Sequence, residues 1–335
     1  MALVYGNTAG MNGLARDGNE TQFNHDTAAA QTRGVIENIS RAFIGREEVA
    51  TRAVLVLIAG GHLLLEDVPG LGKTLLAKAL ARCIHAEFKR IQFTADLLPS
   101  DITGVNTFSP ETREFKFHRG PVFANVLLAD EINRATPRTQ SSLLEAMEEQ
   151  RVTVDGVIHL LPEPFFVVAT QNPVELEGTY PLPFAQMDRF MARLGIGYLE
   201  RAAEARMLRD QRQANPLDQV EPVMDCDTLR KIQSAVRAVT VDESLQGYIV
   251  DIVAATRCDE NLEYGASPRG CLDTQAYSQA IALLDGRNYV LPDDIKQSAR
   301  LVLPHRLIVR KGTRNASAGA RTVIDHVVES VPVPV

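Results

Sequence analysis

The sequence predicts an α/β protein: an αβα core on a parallel sheet, followed by a smaller, all-helical domain. Three observations lead there. Short apolar runs alternate with amphipathic helical stretches from His62 to Asn172, and that alternation implies a parallel sheet covered on both faces. After about residue 200 the alternation stops and helical spacing alone remains. The chain has 335 residues, 45% of them hydrophobic, enough for about two domains with a sizeable core.

The elements follow in order. Residues 1 to about 28 are rich in Gly, Asn, Ala and Thr without a period, so a disordered tail is expected over residues 1–30. "TRGVIENISRAFIGREEVATRAVLVLIAGG" has helical spacing, broken near Gly45 and ended by Gly60-Gly61. "HLLLE" is a buried strand by its length and flanks. "GKTLLAKALARCIHA" is an amphipathic helix directly after a glycine loop. "FKRIQF", "ANVLLADE" and "PFFVVATQN" are further strands, and "PRTQSSLLEAMEEQ" is a helix. Two hairpins interrupt this order. "GVNTFSPETREFKFHRGPVF" alternates around a Ser-Pro turn. "RVTVDGVIHLL" places Asp155-Gly156 between alternating arms, as two-residue turns prefer. The predicted core spans residues 31–197, a helical linker 198–222, and the helical domain 223–310; residues 311–335, basic and then apolar with prolines, are taken as a C-terminal tail.

Composition excludes several classes. The net charge of −7 disfavours a non-specific nucleic-acid coat, which rests on phosphate neutralisation. No apolar run approaches the roughly 18 residues of a membrane span, and the N-terminus lacks the basic-then-apolar order of a signal peptide. A cytoplasmic protein is expected. Cys83, Cys226, Cys258 and Cys271 are scattered without a C-x-x-C pair and read as reduced, structural thiols; the histidines show no metal-ligand spacing.

"EDVPGLGKT" carries the first chemistry. It ends as a phosphate-cradling P-loop should, in Gly72, Lys73 and Thr74, but Asp67 stands where the pattern G-x-x-x-x-G-K-[ST] has its first glycine. The strand–loop–helix context is right. Glycines let backbone N–H groups close around phosphates at a helix N-terminus. Lys73 is expected to reach the β/γ-phosphates and Thr74 to bind Mg²⁺, with the Asp67 side chain turned away from the phosphates. "VLLADE" delivers Asp130 and Glu131 to one sheet edge: Asp130 as a Mg²⁺ carboxylate, Glu131 to orient and polarise an attacking water. An acidic strand end that caps the next helix has the same appearance. Asn172, which suits the water or the γ-phosphate, also suits a turn before Pro173. Arg189 in "PFAQMDRF" and Arg269 in "ASPRG" offer guanidinium forks suited to developing γ-phosphate charge, or ordinary surface ion pairs.

The order "EDVPGLGKT", "LLADEINRA", "SLLEAMEEQRVTVDG", "VVATQNPVELEGTYPLPFAQMDRF", "SPRG" and "LLDGRNYVLPDDI" resembles the MoxR family of AAA+ ATPases, over roughly residues 35 to 308. The resemblance implies an AAA+ P-loop core with a helical lid, binding ATP and Mg²⁺ between them. It implies a cofactor site of Ile44 and Gly45 near the adenine, with Pro69, Gly70, Leu71, Gly72, Lys73, Thr74 and Leu75 in the loop and first turn. It makes Asp67 a family trait, Asn172 sensor 1, Arg189 the arginine finger and Arg269 sensor 2, with Arg134 and Arg138 as further candidates for the finger. It names the two hairpins as the helix-2 insert and the pre-sensor-1 hairpin. It implies a ring, usually a hexamer, that remodels or matures a partner: a von Willebrand factor A-type protein or a metalloenzyme. A chelatase-type or gas-vesicle-type motor is the nearest alternative. A nucleic-acid motor and a nucleotide-binding scaffold without turnover are the rivals from other classes.

Overall fold

Five parallel strands form the central sheet in the order β2-β5-β8-β1-β9. They are β1 (Leu63–Glu66), β2 (Phe88–Gln92), β5 (Val126–Asp130), β8 (Phe166–Gln171) and β9 (Ala192–Leu194). The intervening numbers belong to two antiparallel hairpins, β3 (Gly104–Ser109) with β4 (Glu114–Arg119), and β6 (Arg151–Val154) with β7 (Val157–Leu160). The computed structural model describes residues 24–174, 178–210, 215–310 and 316–334.

The sheet is buried on both faces, as its continuous apolar runs require. On one face lie α1 (His25–Ala42), α2 (Glu47–Ile58) and α3 (Lys73–Cys83), packed on Leu63, Leu65, Val126, Leu128 and Val168. On the other lie α4 (Pro99–Thr103) and α5 (Pro137–Glu149), packed on Leu64, Leu127, Ala129, Val167 and Ala169. The alternation along each strand thus sorts its side chains into two cores. Parallel pairing sets Gln92 beside Asp130 and Glu66 beside Gln171. The polar ends of four strands therefore emerge at one edge, the carboxyl end, where open α/β sheets bind ligands.

The chain leaves the core through α6 (Phe184–Met187), β9 and α7 (Arg201–Asp210). The helical domain contains α8 (Cys226–Ala238), α9 (Glu243–Cys258), α10 (Pro268–Leu284), α11 (Pro292–Val302) and α12 (Ala316–Ser330). A short ribbon of β10 (Leu262–Tyr264) and β11 (Ile308–Val309) joins α9 to the segment before α12. One buried cation fixes this domain to the core. Arg306, 1% exposed, donates from Nε to Asp188 Oδ1 (2.8 Å) and from Nη2 to the Asp273 carboxylate and the backbone oxygens of Asp188 and Phe190. Ser267 adds a bond to Asp188 Oδ2 (2.9 Å). Removing one partner of such a buried pair leaves an uncompensated charge, at about 3–5 kcal/mol.

Two of the expected boundaries change. The expected tail over residues 1–30 overlaps α1, which starts at His25. Asn24 caps that helix by accepting from the Thr27 amide (2.8 Å), and Ala28 and Ala29 are buried. The small residues that made the segment read as low in hydrophobicity are the ones that fit close against the core. Residues 1–23 lie outside the described residues. The expected tail over residues 311–335 contains α12, whose Val323, Ile324, Val327 and Val328 are buried against the helical domain. Their i, i+1, i+4, i+5 spacing is a helical face, obscured in the sequence by the basic and proline-containing flanks.

Candidate nucleotide site

The sequence places glycine where the loop after β1 needs left-handed backbone: φ is +85° at Gly70 and +92° at Gly72. A Cβ at Gly72 would also lie 3.1 Å from the Phe43 ring. Helix α3 begins at Lys73, so the amides of its first turn point toward the loop. The Lys73 ammonium donates to the backbone oxygens of Asp67 and Gln171 (3.1 Å for the latter). Burial lowers its pKa, and the carboxylates of Asp67, Asp130, Glu131 and Glu66 oppose that shift. A cation held by carbonyls alone, at a helix N-terminus, suits a polyphosphate.

Beside it, Asp130 Oδ1 accepts from the Thr170 hydroxyl (2.6 Å), while Oδ2 accepts from Arg90 Nη2 (2.6 Å) and Nε (3.1 Å). Glu131 sits in left-handed backbone, φ +56°, its amide donating to Thr170 Oγ1 (2.9 Å). That turn swings the Glu131 carboxylate toward β2, where it accepts from Gln92 Nε2 (2.9 Å) and pairs with Arg134 Nε (2.8 Å). Asn172 is buried and accepts from the Val174 amide at Oδ1 (3.1 Å). One carboxylate and one hydroxyl, Asp130 and Thr74, suit Mg²⁺, which keeps most of its waters and takes few protein ligands. Sequence reasoning missed Arg90, Gln92 and Thr170. The signal was the polar pair in "FKRIQF": residues two apart share a face of the strand, and both point at the acidic edge.

Ile44 and Gly45 face the linker. Ile44 lines a slot of about 40 Å³ with Phe43, Leu75, Leu199 and Met207, room for about one water and far short of a purine. A Cβ on Gly45 would lie 2.8 Å from Ala203 Cβ, so α7 rests directly on the segment expected to meet the base.

The two late arginines are elsewhere. Arg189 and Arg269 share one carboxylate, Glu148 at the end of α5, at 3.0 and 3.2 Å. They line a cleft of about 260 Å³ with Gly60, Gly61 and His62, at the start of β1. The loop with Lys73 follows the other end of that strand. Arg269, expected as sensor 2, is held by Glu148 beside Arg189, at the end of β1 opposite Lys73. Of the alternative arginines, Arg134 is committed to Glu131, and Arg138 is exposed on the first turn of α5.

His62 beside this cleft titrates abnormally. Burial lowers its pKa to about 4, assisted by the Arg269 charge and opposed by its bond to Met147 O. The Val167 amide donates to Nδ1 (3.1 Å), so the neutral ring keeps its proton on Nε2. The unfolded chain takes up that proton near pH 6.5 and the folded chain only near 4, so this contribution to stability is present above about pH 6.5 and is lost as pH falls. The full difference is about 3 kcal/mol. Urea unfolding between pH 7 and pH 4.5 is expected to show this loss, with a shallower pH dependence in His62→Gln. Equal dependence in the two proteins contradicts the assignment.

Known proteins share this fold. The chain matches the ATPase family associated with various cellular activities (AAA) over residues 62–192 and the AAA lid domain over residues 254–327. It is 38% identical to chaperone MoxR1 of Mycobacterium tuberculosis, over 90% of this chain and 82% of that protein. The chain belongs to the MoxR family of AAA+ ATPases. It is also 47% identical to the uncharacterized protein YeaC of Bacillus subtilis, over 90% of this chain and 94% of that protein. A crystal structure of a protein from Cytophaga hutchinsonii assigned as an ATPase superimposes with a TM-score of 0.84 at 37% identity, covering 93% of this chain and 97% of that one. As a MoxR-family member the chain is an AAA+ ATP hydrolase, with an AAA core and a helical lid.

Proposed function

We propose that this MoxR-family ATPase hydrolyses Mg²⁺-bound ATP at sites shared between copies in a ring, expected to be a hexamer, and uses the cycle as a chaperone that remodels or matures a partner protein. One observation carries the reading: Lys73, Thr74, Asp130, Glu131 and Asn172 converge at one end of the sheet, while Arg189 and Arg269 are gathered at the other. The name of the Mycobacterium tuberculosis relative supports the chaperone part. A von Willebrand factor A-type protein or a metalloenzyme is the expected partner.

Bound Mg²⁺·ATP supplies a γ-phosphoryl group open to in-line attack by water. The rest falls to the chain. Lys73 exchanges the Asp67 and Gln171 carbonyls for β/γ-phosphate oxygens. Thr74 and Asp130 would hold the cation. Glu131 leaves Gln92 and Arg134 to orient the water and draw its proton. Asn172, with Oδ1 held by the Val174 amide, offers its amide nitrogen to the water or the γ-phosphate. Arg189 and Arg269 reach the next copy's nucleotide once Glu148 releases them.

The hairpins suit contact with a partner protein. Phe115, Leu160, Val157 and Ile158 are exposed. The two hairpins are joined by Asn106 Nδ2 donating to Asp155 Oδ2 (2.8 Å) and by Phe117 stacking on His159 at 4.0 Å, so they present one surface. No described helix is long and apolar enough to cross a membrane; the expected location is the cytoplasm.

The test uses Glu131→Gln with ATP as a trap. Sizing is expected to show a ring, chelation of Mg²⁺ to disperse it, and the trapped ring to retain a partner protein. A monomer that turns over ATP at full rate contradicts the shared site. A gel shift with DNA in place of a protein partner favours a nucleic-acid motor.

A further inference from the structure

Asp67 occupies the position of the first loop glycine, and its side chain faces the chain's exit from the core. Oδ2 accepts from the amides of Ile196 (2.9 Å) and Gly197 (2.7 Å), and Oδ1 accepts from the Val68 amide (2.9 Å). Through its own backbone oxygen the same residue holds the Lys73 ammonium. A second tie runs alongside. Arg46 donates from Nη1 to Leu71 O in the phosphate loop and from Nη2 to Gly197 O (3.1 Å). Gly195 and Gly197 flank Ile196, and Gly197 has φ +73°, a conformation glycine adopts at little cost. Just beyond them, Leu199 and Ala203 rest on Gly45, and Leu199 and Met207 wall the narrow slot beside Ile44.

We propose that Asp67 is a positioning residue that couples the phosphate loop to the core–lid connection, pinning Ile196-Gly197 as the pivot about which α7 moves when nucleotide enters. The proposal rests on the nucleotide-site reading above. The slot between Ile44, Leu199 and Met207 is too small for a base, so its entry requires α7 to yield. A phosphate that draws Lys73 away removes one of the contacts on the Asp67 backbone. The two events meet at one residue, whose carboxylate holds the near end of the segment that moves. A glycine at position 67 keeps the backbone oxygen that holds Lys73 but supplies neither carboxylate acceptor.

The experiment is hydrogen–deuterium exchange on the full chain, with ADP as the probe, in the wild type, Asp67→Gly and Asp67→Asn. ADP affinity is measured in each. The wild type is expected to protect Ile196 and Gly197 without ADP and to change exchange across residues 199–208 when ADP binds. Asp67→Gly is expected to bind ADP within about tenfold of wild type. Its 196–197 amides should exchange about 10–100-fold faster, the equivalent of losing hydrogen bonds to a charged acceptor. Its ADP-dependent change at 199–208 should fall below half. Asp67→Asn, which keeps a carbonyl acceptor, is expected to restore part of both, and it decides the matter if the glycine variant does not fold. An ADP-dependent change of wild-type size in both variants overturns the proposal. So does loss of ADP binding in both, because the carboxylate would then act on the nucleotide itself. The site reading fails separately, if Lys73→Ala binds ADP as tightly as the wild type.

Discussion

Glu131→Gln is expected to bind ATP as the wild type does and to lose at least about 10²-fold of its turnover, the low end for a general base. The substitution keeps the size of the side chain and the left-handed turn at Glu131, whose amide bond to Thr170 does not involve the carboxylate. It removes the charge that polarises water and pairs with Arg134. Binding is spared because the groups that face the phosphates, Lys73 and the amides of the loop, are untouched. Single-turnover hydrolysis together with equilibrium ATP binding checks it. Turnover at the wild-type rate would return Glu131 to the alternative reading, an acidic strand end that settles the following turn.

Arg189→Ala is expected to have the largest effect, roughly 10³-fold or more on turnover with ATP binding nearly intact. An arginine supplied in trans is worth about 10³–10⁵ where it completes a phosphoryl-transfer site. Glu148 holds Arg189 at the opposite end of β1 from Lys73, which suits action on a neighbouring copy's nucleotide. Its ion pair with Glu148 is only partly exposed, so urea unfolding of the variant separates a loss of turnover from a loss of stability. Turnover per chain should also fall on dilution, as copies separate.

The sheet was legible because each strand is a short apolar run with polar residues at its carboxyl end, and parallel pairing gathers those ends. Lys73, Asp130, Glu131 and Asn172 were therefore nameable from "GLGKT", "VLLADE" and "VVATQN" alone. Both hairpins were legible from period-two alternation around Asp155-Gly156 and a Ser-Pro turn. What the sequence hid depends on distant contacts. Arg269 reads as a phosphate-binding fork or a surface ion pair, and only the fold, which brings the first turn of α10 to the end of α5, gives it Glu148. Gln92 and Arg90 look like ordinary strand residues until β2 lies beside β5. Asp67 reads as a departure from the glycine pattern with its side chain turned from the phosphates, but its partners appear only when residues 196–197, about 130 positions away, fold back onto it. The ends were misread for a different reason: composition averaged over a segment conceals four valines and isoleucines on one helical face, and two buried alanines after a capping Asn24.

The shared site is tested most directly by mixing Lys73→Ala, which keeps Arg189 but not the phosphate-binding ammonium, with Arg189→Ala, which keeps the ammonium but not the finger. Each variant alone is expected to be nearly inactive. Mixed at concentrations where sizing shows co-assembly, they form interfaces that pair an intact Lys73 with an intact Arg189, and part of the wild-type turnover is expected to return. Co-assembled mixtures with no more turnover than the separate variants, or an Arg189→Ala protein as active as the wild type, would contradict the account.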